Sequence, residues 1–291
     1  MRTPFEPQWL GGHSERYFRR IRPDVDSLPW GTLDPTAYPP ALLKRAQQGW
    51  TQSAFNEYRA AIAFSQLLQA LLEINAPVDL VAMCSDFIAD EMLHVELTCR
   101  IAMELGGGAD FRIDYQGQRI AIAEGLSAVQ RANELIIRVC CVGEAFSLPM
   151  LAGACRTASH PLTEGVLKRI VRDEAQHGLL GFLYLEWIEE NLDETELIRL
   201  THVATDAISA LAPAWQQLRS MAATESSTES IKAHDINELG AMVYSSYLET
   251  ARRALHDSVC KPLKKHGICV DPELLENLFP ATETNKTLGT T

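Results

Sequence analysis

Basic residues are scarce in this chain: 26 lysines and arginines stand against 38 aspartates and glutamates, a formal charge of −12. That balance excludes a nucleic-acid partner, whose phosphates require a basic face. The one basic cluster, Arg16, Arg19, Arg20 and Arg22, is short and is expected to pack on the chain's own acidic body. Long apolar runs are missing too. The longest, around Ala60 to Ile74, is broken by Ser65, Gln66, Gln69 and Glu73, so no membrane span is expected. The opening residues MRTPFEPQWL contain no apolar signal core. The seven cysteines are odd in number and show no paired, metal-type spacing. Five of them (Cys84, Cys99, Cys140, Cys141 and Cys155) fall in helical stretches and read as reduced thiols, so a cytoplasmic location is expected. Sustained period-two alternation is absent, which argues against a sheet architecture. No flavin, haem or iron–sulfur motif occurs.

What the chain does have is apolar sequence with helical spacing. Hydrophobic residues make up 46% of its 291 positions, enough for one large domain with a substantial core. Residues 1–39, rich in proline and aromatics, are expected to form an irregular wrap. A first helix should begin at Pro40 and run to about residue 74. Asn75-Ala76-Pro77 makes the turn into a second helix, which Gly106-Gly107-Gly108 ends near residue 105. After a crossover over 109–119, a third helix is expected over 120–157, bent at Pro149 just past Glu144. His160-Pro161 opens a fourth, to about residue 191. Asp193 with Glu196 predicts a fifth helix ending near 223. A flexible linker over 224–230 follows, and Asp235 with Glu238 predicts a sixth helix to about 266. Residues 40–279 thus form the helical domain, and 280–291 a disordered tail.

Two copies of one pattern lie inside these helices: Asp90-Glu91-Met92-Leu93-His94 and Asp173-Glu174-Ala175-Gln176-His177. In each, a carboxylate and an imidazole three residues apart share one helix face. Each copy is preceded by a lone glutamate in apolar sequence: Glu57 lies 34 residues before Glu91, and Glu144 lies 30 before Glu174. Such a step lets a helix leave a site, turn and return. All six side chains then meet at one depth of an antiparallel bundle. Four carboxylates and two imidazoles in a core are very costly without a cation. A pair of iron ions is the natural candidate, and it would offset four of the negative charges. A single Glu-x-x-His is commonly a surface pair; two copies with matched upstream glutamates argue for metal.

On these residues the chain resembles the ferritin-like di-iron carboxylate superfamily over roughly positions 40–191. That superfamily includes ribonucleotide reductase small subunits, bacterial multicomponent monooxygenases, acyl carrier protein desaturases and arylamine N-oxygenases. The resemblance implies an all-α, ferritin-like antiparallel four-helix bundle, here with two additional C-terminal helices. It implies a di-iron oxygenase or oxidase that activates O2 to hydroxylate, desaturate or N-oxygenate a small organic substrate. By the same resemblance Glu57 and His94 bind one iron, Glu144 and His177 the other, and Glu91 and Glu174 bridge them. Asp173 would hold the distal nitrogen of His94, and Asp90 that of His177, fixing each ring. Ser147, one turn after Glu144, would stand beside the dioxygen site as a catalytic residue, or else bond its own helix backbone. Manganese suits the same ligands. Electrons would come from an external ferredoxin or reductase, and a homodimer is compatible with the family.

One departure stands out. Arylamine N-oxygenases carry an extra histidine one turn before the fourth-helix glutamate, where this chain has Ile170. Elsewhere, Cys140 is expected to line the pocket or fill the core. Tyr58 and Tyr184 are expected to pack, and Glu96, Glu134 and Glu186 to face solvent. Two alternatives stay open: an iron-handling ferroxidase, and a metal-stabilised scaffold without turnover.

Overall fold

The computed structural model describes residues 2–226 and 232–280. The expected tail beyond residue 280 and most of the expected linker lie outside the described residues. The N-terminal region is more regular than its prolines suggest. β1 (Thr3–Pro4) pairs antiparallel with β2 (Arg112–Ile113), and α1 (Gly12–Ile21) is a ten-residue helix. Two members of the basic cluster meet acidic partners: Arg19 pairs with Glu96, and Arg22, just past α1, with Asp86 and Asp90.

Four long helical rods follow. α2 (Pro40–Glu73) starts on a proline, whose missing amide would be unpaired in a first turn anyway. It turns through Asn75, in the left-handed region at φ 52°, into α3 (Val78–Glu104). The third rod starts eight residues later than the apolar pattern suggests. Ser127 and Gln130 form a reciprocal capping box there, which fixes the start of α4 (Ala128–Ile136). Residues before it are tied to α2 instead, where the Gln66 side chain bonds both backbone groups of Ile120. The rod continues through a π-helical turn, Ile137–Glu144, into α5 (Ala145–Thr157). Pro149 sits inside α5, but the departure from α-helical geometry lies upstream of Glu144 and not after it. The last rod is α6 (Pro161–Ile188), followed by one 3-10 turn.

The C-terminal additions are more segmented than expected. α7 (Glu194–Ser209) is capped by Asp193 and stops before α8 (Ala212–Ser226), because Pro213 cannot continue a helix. α9 (Ala233–Glu238) ends at Gly240, at φ 76°, where an added Cβ would lie 2.7 Å from the Trp50 ring. α10 (Tyr244–Ala254) runs through a second π turn, Leu255–Cys260, into α11 (Lys261–Lys265), and α12 (Pro272–Leu278) closes the described chain.

α3 packs against both α2 and α6, while α6 packs on α5 and on the first π turn. The core divides into two large apolar clusters. One holds Phe64, Leu71, Phe87, Leu135 and Leu180; the other holds Leu42, Trp50, Leu97, Leu162 and Ile170. The predicted ligands fall at the seam between them on all four rods. The rod Ala128–Thr157 is also long and apolar enough to cross a membrane, which the sequence pattern alone had assigned to no segment. It carries Glu144 inward and packs against α2, α6, α7 and α10, the surroundings of a core helix.

Gly181 sets the distance between α6 and the π turn: a Cβ there would lie 2.7 Å from Cys141 Sγ and 2.8 Å from Cys140 Cβ. Gly181→Ala should therefore cost about 1–3 kcal/mol in denaturant unfolding, as overpacking does. An unchanged midpoint would show that the rods have room to spare.

Candidate metal centre

Glu57, Glu91, His94, Glu144, Glu174 and His177 all turn into the seam, and all are buried. They form two overlapping quartets whose ligand atoms lie within 4.8 Å of one another. One is Glu57, Glu91, His94 and Glu174; the other is Glu91, Glu144, Glu174 and His177. Glu91 and Glu174 belong to both. Helical spacing explains the arrangement. On α3 and α6 the i, i+3 step stacks each carboxylate with its imidazole, and α2 and the π turn each bring one glutamate across.

Both imidazoles present Nδ1 to the carboxylates. His94 Nδ1 lies 3.1 Å from Glu174 Oε1, and His177 Nδ1 lies 3.1 Å from Glu91 Oε1 and 3.2 Å from Glu174 Oε2. These contacts are close but not aligned as hydrogen bonds. Glu91 Oε1 and Oε2, Glu174 Oε2 and both Nδ1 atoms are buried with no hydrogen-bond partner. Five unpartnered polar atoms converging in a buried core would be strongly destabilising unless a cation completes them. Carboxylate oxygens with imidazole nitrogens form the donor set of a first-row transition metal, so the cluster can hold metal ions.

The far side of each ring faces an aspartate. His94 Nε2 lies 3.4 Å from Asp173 Oδ2, and His177 Nε2 lies 3.7 Å from Asp90 Oδ2. Each aspartate is gripped by an arginine: Asp90 by Arg22 Nε at 2.7 Å, Asp173 by Arg169 Nε at 3.0 Å. Arg22 belongs to the basic cluster expected to pack on the acidic body, and Arg169 stands at i, i+4 from Asp173. Phe87 lies against His177 with ring centroids 4.1 Å apart, and Phe64 meets it edge-on at 5.3 Å.

The metal-free cluster is electrostatically frustrated. Burial, with repulsion from Glu91 and Glu174, pushes the Glu57 and Glu144 carboxyls well above their ordinary range. Burial alone would raise Glu174 too, but the two imidazoles outweigh it and hold it low. Burial pulls the imidazoles down, yet the surrounding carboxylates win, with His94 well raised and His177 pushed up to about 12. The cluster thus holds extra protons wherever no metal supplies positive charge.

Several other expected residues take different places. Ser147 Oγ donates to the Glu144 carbonyl at 3.1 Å, the local helix bond. Ile170 is fully buried in the apolar cluster with Leu97 and Leu162. Cys140 is buried, and the described cysteines are free thiols, with Cys269 exposed. Two expectations of solvent exposure fail, because buried partners were invisible in sequence. Glu96 is buried against Arg19, and Glu134 is buried between Arg138 and Arg199. Tyr184 is fully buried and donates to Asn133 Oδ1 at 2.7 Å. Glu186 is exposed as expected.

Fold and cluster together define a ferritin-like, all-α bundle with a buried carboxylate–imidazole centre. Among solved structures the chain is similar to Protein 19 with aldehyde deformylating oxidase activity from Synechococcus. The TM-score is 0.54 at 14% identity, covering 84% of this chain and 98% of that one. That likeness concerns the fold. No family model matches the chain, and no curated protein matches it in sequence.

Two outcomes are expected at this centre. Metal loading should release protons, because the ligands bind in their deprotonated forms, with affinity falling as pH drops. Calorimetry in buffers of different ionisation enthalpy measures this, and zero release would contradict the electrostatics above. Asp173→Asn should weaken metal retention about 10–100-fold under chelator challenge with helicity intact; wild-type retention would mean that Asp173 does not support His94.

Proposed function

We propose that the protein is a di-iron oxidase or oxygenase that activates O2 to oxidise a small organic substrate. The observation that carries this reading is the pair of quartets sharing Glu91 and Glu174. Glu57 and His94 would hold one ion and Glu144 and His177 the other, with Glu91 and Glu174 available to both. Iron bound there supplies reductive chemistry on dioxygen, and manganese is admitted by the same donors. The chain's own part is to bind, orient and keep dry. Asp173 bonds Nε2 of His94 and Asp90 faces Nε2 of His177, which leaves Nδ1 of each ring turned to the cluster. Arg22 and Arg169 hold those aspartates in place. Phe64 and Phe87 shield His177 from water. Ser147, bonded to the Glu144 carbonyl, shapes the helix beside the centre.

The chain carries no electron-transfer cofactor motif, so electrons come from a separate ferredoxin or reductase. The oxidase activity of the Synechococcus protein of similar fold supports a redox enzyme over an iron store. So does the partly exposed apolar wall of α5, which iron storage does not require.

Purified protein should hold two irons per chain. With reductant it should take up oxygen in amounts well above its own concentration once a substrate is present. Glu91→Ala and Glu174→Ala should each lose the paired metals while staying helical, since the rods still bury their apolar faces. Uptake of many irons per chain would instead mean storage. Two metals without oxygen uptake would mean a scaffold.

A further inference from the structure

We propose that the cavity of about 590 Å³ between α2 and α5 is the substrate chamber of this centre, and that it takes an uncharged, largely apolar molecule. The proposal rests on the oxidase reading and adds where the substrate sits and what it is like.

The cavity is in register with the metal cluster on three rods. It is lined by Trp50, seven residues before Glu57; by Leu151, seven after Glu144; and by Leu167, seven before Glu174. Seven residues are close to two helical turns, so each lies on the same face as its ligand, about 10 Å along the axis. One layer of side chains remains between chamber and cluster. Ser53, which lines the chamber one turn before Glu57, and Ser147 belong to it by register. The gap has a packing origin. α2 packs against α4 and the π turn but makes almost no contact with α5, so the two rods diverge past Glu144. α8, α9 and α10 close over the resulting wedge, fastened where Trp50 Nε1 donates to the Leu239 carbonyl at 3.0 Å.

No cluster residue lines the cavity itself, and the two on the diverging rods are the least buried of the six. Glu57 and Glu144, on the two diverging rods, keep 7% and 8% of their surface exposed, whereas the other four ligands keep 2% or less. Residues 146–152 of α5 are all only partly buried, although most are apolar. An apolar wall left uncovered beside a dry metal site is what an apolar ligand would complete.

Charge sets the rest. The charged side chains lining the chamber are Arg45 and Asp110. Arg45 is already spoken for: it pairs with Glu225, donates to the Met242 carbonyl and lies 3.8 Å over the Tyr244 ring. Asp110 sits exposed at the rim. Among the described residues lining the chamber no free cation is left to receive a carboxylate, so an anionic substrate would enter with its charge unpaired. The volume lies within the usual range for small-molecule sites.

Calorimetric titration of metal-loaded protein with decanol and with decanoate tests this without any turnover. Decanol should bind at least about tenfold more tightly than decanoate, a difference near 1.4 kcal/mol. Leu151→Trp, which fills the chamber, should weaken decanol about tenfold or more at unchanged metal content. Glu225→Gln frees the Arg45 charge and should tighten decanoate about tenfold, with decanol moving less than about twofold. Equal binding of the two ligands in wild type would overturn the proposal, as would Leu151→Trp protein that binds decanol normally. Should Leu151→Trp fail to fold, the Glu225→Gln arm decides: decanoate binding no tighter than in wild type would overturn the proposal. Ligand binding without oxygen uptake would remove the oxidase reading and leave the chamber. Oxygen uptake without ligand binding would do the reverse.

Discussion

Four carboxylates and two imidazoles share one water-poor volume, and the rest of the molecule is arranged around that cost. Removing an ion from water costs several kcal/mol even after relaxation, and like charges at this range add to it. Protonation relieves the strain only in part, as the opposed shifts of Glu57 and Glu174 show. Cations would relieve it further, and each quartet could take one. The bundle withstands this because its apolar clusters lie on either side of the centre, not across it. The two halves of the core can therefore hold the rods together while the middle layer is given over to polar chemistry.

Two devices make the geometry work, and both are departures from regular structure. The π turn ends at Glu144, where its wider register carries that glutamate into the seam, as such turns often do at functional sites. It requires α6 to come close, which Gly181 permits. Past the turn α5 leaves α2, and the space between them becomes the chamber. One irregularity thus turns Glu144 into the cluster and lies where the two rods begin to part. The second device is the N-terminal segment. Arg22 reaches from beyond α1 to grip Asp90, so a region outside the bundle motif helps set the angle of His177.

The fold and the six converging side chains were legible in sequence for a physical reason. Helical period and the i, i+3 rule are local, and a lone charge in an apolar stripe marks an inward-facing position. α2, α3 and α6 end within a residue or so of where caps, prolines and glycines put them, α6 with its final 3-10 turn. The failures are equally physical. The third rod was read as starting too early because the Ser127–Gln130 cap is a short signal inside apolar sequence. Pro213 and Gly240 divide helices that periodicity alone would join. Glu96 and Glu134 looked solvated because their i, i+4 arginines read as surface pairs, while Arg19 and Arg199, which also meet them, lie far off in sequence and leave no local trace. The π turn follows from packing between rods, which a single helix's pattern does not encode.

The most direct test of the central claim is a crystal structure of iron-loaded protein with data collected at the iron absorption edge. Two anomalous peaks are predicted, about 3.5–4 Å apart as in carboxylate-bridged pairs. Both should be flanked by Glu91 and Glu174. Nδ1 of His94 should bind one, and Nδ1 of His177 the other. A single peak, or iron bound anywhere else in the bundle, would contradict the account.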